Sequence, residues 1–469
     1  MGLIKSRALS RLKSLRIASQ LVFLALFVFI FLRSLDPFSI VQNFFLRFDP
    51  LIFLTHLETG SLTLAGIILL LLITLLVGRF FCGWVCPMGT LIDVSDLLLS
   101  WIRKRLPFNL NPLNRGRNRR LGAKALIRTP PALFLLGAVL VTVFFAPPVL
   151  QFLHPNVWIV RIFSLNPLGI GFMIFVLVSS VIGRRFWCIY LCPLGALYGF
   201  LSRFSLYRLE ISRCSRCGKC TLCPMGAADY QEKEILQSQC TLCFDYEAGC
   251  PVEGFSFTNR LRAPVQESRR RFLETSVSLA GGALAGGILS IPWGEKNMSS
   301  LLRPPGVVDE TQFVERCLRC LQCVRSCPNR IIQVTGGSAG LGSLFTPHIE
   351  FARYGCDYYC QVCQVVCPNY AIPLQSLENK QKTPIGKAVI NTDDCVVYKD
   401  GTNCLVCEEF CPVPEKAIQT KEEMVWKDGK LVPLKHPFVV ESRCIGCGIC
   451  QVNCPASPIA ITVRKNPRI

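Results

Sequence analysis

The chain has 469 residues, 51% of them hydrophobic, with 27 cysteines and a formal net charge of +20. That is long enough for two or three domains, too apolar for an ordinary soluble protein, and too large for a secreted disulfide scaffold, which serves small chains that lack a core. Only four histidines occur (His56, His154, His348, His436) and none adjoins a cysteine pair, so mixed Cys/His zinc sites are excluded as well.

Four apolar runs fill the first 190 residues, at about 17–32, 62–78, 132–152 and 168–183. Each approaches the roughly 20 residues that a helix needs to cross a hydrocarbon core of about 30 Å. Buried helices of a large soluble protein are the alternative, but long basic loops on alternate sides favour a membrane. Five Lys or Arg precede the first run, two lie in 33–60, ten in 79–128, and only Arg161 in 151–165. Arg184, Arg185, Arg203 and Arg208 follow the fourth run. Positive charge marks the cytoplasmic side, so both ends of this unit are expected in the cytoplasm. The same distribution argues against nucleic-acid binding, the usual reading of a basic chain.

The unit contains an internal repeat. Arg79-Phe80-Phe81-Cys82-x3-Cys86-Pro87-x-Gly89 recurs 106 residues later as Arg185-Phe186-Trp187-Cys188-x3-Cys192-Pro193-x-Gly195. On a helix, residues four apart share a face with Cβ atoms about 6 Å apart. Each pair is thereby expected to present two thiolates, and the two pairs together supply sulfur for one more cluster. A redox-active or merely packed thiol pair is the alternative.

A cysteine-rich stretch follows, expected to be cytoplasmic. Cys214-x2-Cys217-x2-Cys220-x2-Cys223-Pro224 is one residue short before its last cysteine, and Cys240-x2-Cys243-x6-Cys250-Pro251 has Tyr246 where a third cysteine would stand. If the last cysteine crosses to the neighbouring site, Cys214, Cys217, Cys220 and Cys250 complete one cluster. Cys240, Cys243 and Cys223 then leave a second site one ligand short, so this stretch holds one or two clusters. A thiolate of the repeat is one source of the missing ligand.

Arg269-Arg270-Arg271-Phe272-Leu273 then precedes a weakly apolar run, rich in Gly and Ala, at 275–292. It resembles a twin-arginine export signal, although its internal position is unusual, and a fifth transmembrane helix is the alternative. Either way the chain beyond about residue 292 is expected outside the cytoplasm, with the run retained as an anchor.

That last segment holds four complete cysteine sets. They are Cys317, Cys320, Cys323 and Cys327; Cys356, Cys360, Cys363 and Cys367; Cys395, Cys404, Cys407 and Cys411; and Cys444, Cys447, Cys450 and Cys454, each ending in Cys-Pro. In the bacterial ferredoxin run, three closely spaced thiolates wrap one cubane and the fourth ligates its neighbour. A zinc ribbon needs only two separated Cys-x2-Cys knuckles. Four [4Fe–4S] clusters are therefore expected. Sets one and four have compact spacing and sets two and three stretched first gaps, which favours a nested pairing, one with four and two with three, over a sequential one.

No Cys-x-x-Cys-His haem attachment and no Gly-x-Gly-x-x-Gly dinucleotide fingerprint occurs. Beside a membrane bundle, the remaining electron donor is a quinol. Its oxidation releases protons, and His56 and His154, in the two outward loops near Asp49 and Glu58, are candidate acceptors. A lone loop histidine is more commonly a solvated surface residue.

These motifs resemble a known pair of proteins fused end to end. Residues 1–260 resemble the NapH membrane component of periplasmic nitrate reductase systems, through the paired Cys-x3-Cys-Pro motifs and the ferredoxin stretch. Residues 265–469 resemble the NapG component, notably through Cys356-Asp-Tyr-Tyr-Cys360-Gln-Val-Cys363-Gln-Val-Val-Cys367-Pro368. The resemblance implies a quinol dehydrogenase module in a multi-subunit complex, drawing on the membrane quinol pool and feeding a periplasmic reductase or c-type cytochrome. Related membrane modules serve methylamine-utilisation and nitrous-oxide-reductase systems, so the terminal partner stays open.

The expected architecture is an α-helical membrane bundle of four helices plus a fifth signal or anchor helix, with α+β ferredoxin-like domains on both sides. Its segments are 1–205 (membrane, with both CxxxCP motifs), 206–262 (cytoplasmic ferredoxin-like), 263–300 (signal or anchor) and 301–469 (periplasmic, four clusters). The protein is expected in a bacterial inner membrane with its N-terminus cytoplasmic. Electron transfer from quinol is the leading function. The alternative is a redox maturation or regulatory factor that supplies electrons for metalloenzyme assembly.

Overall fold

The computed structural model describes residues 6–33, 46, 49–55, 61–105, 131–145, 154–163, 167–182, 185–211, 214–215, 223–229, 234–245, 255–259, 269–290, 301–336, 339–340, 342–427 and 429–465. His56, Cys217, Cys220, Tyr246 and Cys250 lie outside them. The described chain forms two compact units that meet in sequence at Ile291 and Pro292. The described residues of 1–205 and of 206–262 fall in the same unit as Arg269–Ser290.

The first unit is mainly helical. Its long helices are α1 (Ser6–Arg33), α3 (Ser61–Val77), α5 (Pro87–Arg105), α6 (Pro131–Phe145), α8 (Pro167–Ile182) and α11 (Arg269–Ser290). The four apolar runs coincide with α1, α3, α6 and α8. Leu12–Arg33 is the one helical stretch among the described residues that is long and apolar enough to cross a membrane, and Leu64–Val77, Gly169–Ser180 and Ser276–Ile288 are shorter apolar helices. Apolar side chains stay exposed on these helices, as with Leu69, Val178 and Leu284.

Short helices fill the links: α2 (Pro50–Thr55), α4 (Phe80–Trp84), α7 (Pro155–Phe163), α9 (Phe186–Tyr190) and α10 (Pro193–Leu201). Six of the unit's described helices begin on proline at a first turn where its missing N–H costs nothing. The cysteine-rich stretch adds two small antiparallel pairs. Strand β1 (Tyr207–Ile211) pairs with β4 (Phe255–Asn259), Leu209 opposite Phe257, and β2 (Ala228–Asp229) pairs with β3 (Glu234–Ile235).

Helix α11 packs along α6 through glycine. A Cβ on Gly137 would stand 2.2 Å from the Leu279 carbonyl oxygen, and one on Gly286 would stand 2.6 Å from that of Ala138. Small residues let the two backbones approach this closely.

The second unit has short elements. Helices α12 (Glu310–Arg316), α13 (Gln322–Ser326), α14 (Val362–Val365), α15 (Leu377–Lys382), α16 (Val396–Asp400), α17 (Val406–Glu409) and α18 (Ile449–Val452) alternate with three two-stranded antiparallel sheets. The pairs are β5 (Ile332–Val334) with β6 (Pro347–Ile349), β7 (Lys387–Ile390) with β10 (Ile461–Arg464), and β8 (Ile418–Lys427) with β9 (Lys430–Val439). Cysteines sit within its apolar clusters, Cys317 and Cys323 among Phe313, Ile332 and Val366, and Cys444 and Cys450 among Ala388, Ile418 and Ile461. The thiols are part of the core rather than attached to its surface.

The glycine contacts predict opposite effects at adjacent positions. Gly286→Ala forces the α6–α11 contact apart and lowers stability by about 1–3 kcal/mol. Gly287, with nothing within 4 Å of a new Cβ, gains up to about 1 kcal/mol as Ala from helix propensity. Thermal unfolding of the two purified variants checks both signs.

Candidate metal centres

In the second unit each cysteine set is built alike. A loop carries the first two cysteines, a one-turn helix (α13, α14, α17 or α18) holds the third, and the fourth follows within two residues of its end. The compact loops bend through left-handed backbone at matching places: Arg319 and Leu321 in the first set, Gly446 and Gly448 in the fourth. At Gly448 the glycine is required twice, because φ is +76° and a Cβ would meet the Phe351 ring at 2.4 Å.

Three cavities show what the loops enclose. One is lined by Cys317, Cys320 and Cys323 together with Cys367. A second is lined by Cys395, Cys404 and Cys407 together with Cys454. A third is lined by Cys444, Cys447 and Cys450 together with Cys411. The remaining set closes in the same way, since Cys356, Cys360 and Cys327 all act electrostatically on the buried Cys363 thiol. In all four seats three thiols come from one motif and the fourth from its partner.

The partners are sequential, one with two and three with four. The nested pairing expected from loop length is thereby corrected. Third and fourth cysteines are separated by one helical turn in every set, so the crossover depends on that common turn and not on the length of the first gap. Sets two and four meet across a different boundary. The Cys356 amide donates to the Cys447 carbonyl at 2.7 Å, and a Cβ on Gly355 would run into Ile449. The four seats therefore form a series: Cys317/320/323/367, then Cys356/360/363/327, then Cys444/447/450/411, then Cys395/404/407/454.

The electrostatics suit a cationic guest. Burial first, then Cys404, Cys395 and Cys454, push the Cys407 thiol up to about 12. Cys323 is held well above the ordinary thiol range by burial and by Cys320, Cys317 and Cys367. Four buried thiolates repel one another unless positive charge lies among them, and an iron–sulfur core supplies it. Backbone N–H groups of Ala388 and Ile372 point at the sulfurs of Cys444 and Cys367, at 3.4 and 3.5 Å. No three ligands among the described residues gather as a single metal ion would need. Thiolates opened around a cavity suit a cluster rather than one zinc.

In the first unit the repeated Cys-x3-Cys-Pro motifs do not lie on continuous helices, contrary to expectation. Cys82 and Cys188 sit in α4 and α9, whereas Cys86 and Cys192 fall in the breaks before α5 and α10. Proline disfavours helical backbone at the residue before it, and Cys192 is extended, with φ −80° and ψ 111°. Its sulfur instead caps α10 by accepting from the Gly195 amide at 3.3 Å. The four thiols nevertheless converge: Cys86 has Cys82 and Cys188 as charged neighbours, and Cys192 has Cys188, Cys82 and Cys86.

The irregular stretch docks on these helices. Trp84 Nε1 donates to the Leu242 carbonyl at 3.2 Å, and a Cβ on Gly83 would strike the Thr241 carbonyl at 2.1 Å. Leu242 and Phe244 are left-handed, at the places that Gly446 and Gly448 occupy in the last set. The loop has thus kept the cluster-binding bend despite Tyr246. Cys223 lies beside both Cys240 and Cys243, the three-thiol set that crossover predicts, and Cys188 packs against the same core.

Two buried arginines stand between these groups. Arg79 donates to the Ser238 carbonyl at 2.9 Å and points at Cys82 Sγ at 4.0 Å. Its repeat counterpart Arg185 donates from Nε to Asp93 Oδ1 at 2.9 Å. His154, expected to be solvated if it had no function, is instead 2% exposed and 3.0 Å from Asp49 Oδ1.

A family model described as a 4Fe–4S binding domain matches residues 59–109 and 165–211, the two halves of the repeat, and a second of the same description matches 435–456, around the last set. The methylamine utilization ferredoxin-type protein MauM of Methylorubrum extorquens is 31% identical over 206 residues, 43% of this chain and 90% of the relative. The ferredoxin-type protein NapG of Escherichia coli is 33% identical over 205 residues, 43% of this chain and 87% of the relative. The chain belongs to the NapG/MauM family of ferredoxin-type proteins. It is therefore an iron–sulfur electron-transfer protein with 4Fe–4S binding domains. The ferredoxin-type protein MauN of M. extorquens is also similar, 33% identical over 175 residues, 35% of this chain and 54% of the relative. No solved structure matches the chain.

Sequential crossover predicts which cysteines act together. Cys367→Ser and Cys323→Ser each abolish the same cluster, and the double variant loses no more iron than either single one. Iron analysis with EPR of the reduced protein checks this. Nested pairing would instead couple Cys323 to Cys454.

Proposed function

We propose that this protein carries electrons from membrane quinol to a periplasmic reductase or c-type cytochrome, as a NapH-like membrane module fused to a NapG-like four-cluster module. The observation that carries the reading is the series of four crossover-paired thiol seats in the second unit. A conduit uses a succession of carriers, whereas a maturation or regulatory factor needs fewer. On this reading the seats hold four [4Fe–4S] clusters, each chelated by three thiolates of one motif and one of its partner.

Helices α1, α3, α6 and α8 span the inner membrane with the N-terminus in the cytoplasm, and α11 is a retained fifth helix behind the Arg-Arg signal. Exposed apolar side chains on these helices and the alternation of basic loops support that topology. Residues 301–469 then lie in the periplasm, beside the electron acceptor. The converging thiols Cys82, Cys86, Cys188 and Cys192 hold a further cluster, in keeping with the family model over both halves of the repeat. The stretch around Cys214–Cys250 holds one or two more, with Cys223, Cys240 and Cys243 the ligands of the incomplete one. A chain of this kind works within a multi-subunit complex, in the nitrate reductase-type system that the NapH and NapG resemblance implies or in methylamine utilisation, as the name of one relative suggests.

Membranes containing the protein should show clusters that reduced naphthoquinone or benzoquinone analogues reduce within seconds to minutes, followed by EPR. Clusters that stay oxidised with every quinol yet respond to dithionite would favour the maturation role.

A further inference from the structure

The two halves of the first unit match beyond the cysteine motifs. Asp49-Pro50 opens α2 and His154-Pro155 opens α7, 105 residues apart, against 106 for the cysteine repeat. These equivalent residues meet: His154 Nε2 lies 3.0 Å from Asp49 Oδ1. Asn156 Nδ2 donates to Asp49 Oδ2 at 2.7 Å, and the Leu51 amide donates to Asp49 Oδ1 at 3.0 Å. Asp49, His154 and Asn156 are each 2% exposed.

Three polar atoms around this pair have no hydrogen-bond partner among the described residues: His154 Nδ1, Asn156 Oδ1 and the Tyr198 hydroxyl. Each is buried, and a buried polar atom left unmatched costs about 1–3 kcal/mol. Tyr198 links the pair to the thiols, since Asp49, Cys82, Cys86 and Cys192 all lie within electrostatic reach of its hydroxyl. Its ring also packs on Phe81, next to Cys82, at 5.5 Å between centroids.

We infer that Asp49, His154 and Asn156 form the proton-accepting site for a hydroquinone headgroup, which rests on the quinol reading above. Asp49 accepts from Nε2–H and so fixes the tautomer in which Nδ1 carries the free lone pair, as a carboxylate does for a catalytic histidine. A hydroquinone hydroxyl donates to Nδ1, and its O–H bond breaks with the proton passing to His154. The second hydroxyl proton goes to water. The two electrons released leave one at a time for oxidised [4Fe–4S] clusters, each of which takes one, and the ring departs as quinone. Asn156 Oδ1 accepts from a headgroup hydroxyl and orients it. His154 is the catalytic base and Asp49 a positioning residue.

The test follows cluster reduction in membranes that carry the full chain, with menadiol as donor and the dithionite-reduced EPR signal as the measure of assembled clusters. His154→Gln and Asp49→Asn should slow menadiol-driven reduction at least about 100-fold while the dithionite signal stays at the wild-type level. Rates within about twofold of wild type in both variants overturn the site and leave the quinol reading standing. If these variants fail to assemble clusters, Asn156→Leu decides: an about tenfold rise in the half-saturating menadiol concentration, one lost hydrogen bond, supports the site, and an unchanged value overturns it. Wild-type clusters that no quinol reduces overturn the quinol reading and the site with it.

Discussion

In the second unit, a thiolate leaves the loop that precedes it, travels one helical turn, and closes a cavity that belongs to another stretch of chain. Repeated in both directions, this exchange ties motif one to motif two and motif three to motif four. Neither member of a pair can complete its seat alone. The surrounding elements are short, with two-stranded sheets and helices of four to seven residues. Such elements bury little by themselves, so the cysteine seats organise the core instead of decorating it. Metal binding and folding are then coupled, because the buried thiols must lose their protons as the cluster arrives.

The first unit solves a related problem by duplication. Each half brings a short helix with one cysteine, a break with a second, and a proline-started helix beyond. Joined, the halves converge four thiols, and the same joining brings Asp49 against His154. Arg79 and Arg185 are also equivalent, yet they have diverged. Arg79 serves the Ser238 carbonyl of the docked loop, whereas Arg185 is tied to Asp93, which also lies 3.5 Å from Arg16 of α1. Burying such cations is costly unless they are paired. Here their partners are a carboxylate, carbonyls and the sulfur-rich centre itself.

Much of this was legible in the sequence. The four apolar runs became helices, and the ferredoxin spacing identified the sixteen thiols that line the seats. Crossover also identified Cys223 as the companion of Cys240 and Cys243 before the loop's bend could be seen. Pairing was not legible, because first-gap length does not determine which motifs lie side by side, and the contact of Gly355 with Ile449 is a matter of packing. Nor was the break at Cys86 and Cys192 recognised, although the proline after each cysteine signals it. His154 is legible as a candidate near Asp49, but their direct contact across the repeat is not. Asp-Pro and His-Pro at the same place in each half share little but proline.

Iron and acid-labile sulfide, measured on the anaerobically purified full chain, test the cluster seats most directly. Four complete seats in the second unit require at least about sixteen irons per chain, at about four per cubane, with sulfide in nearly equal amount. Zinc in place of iron, with no sulfide, would contradict the account.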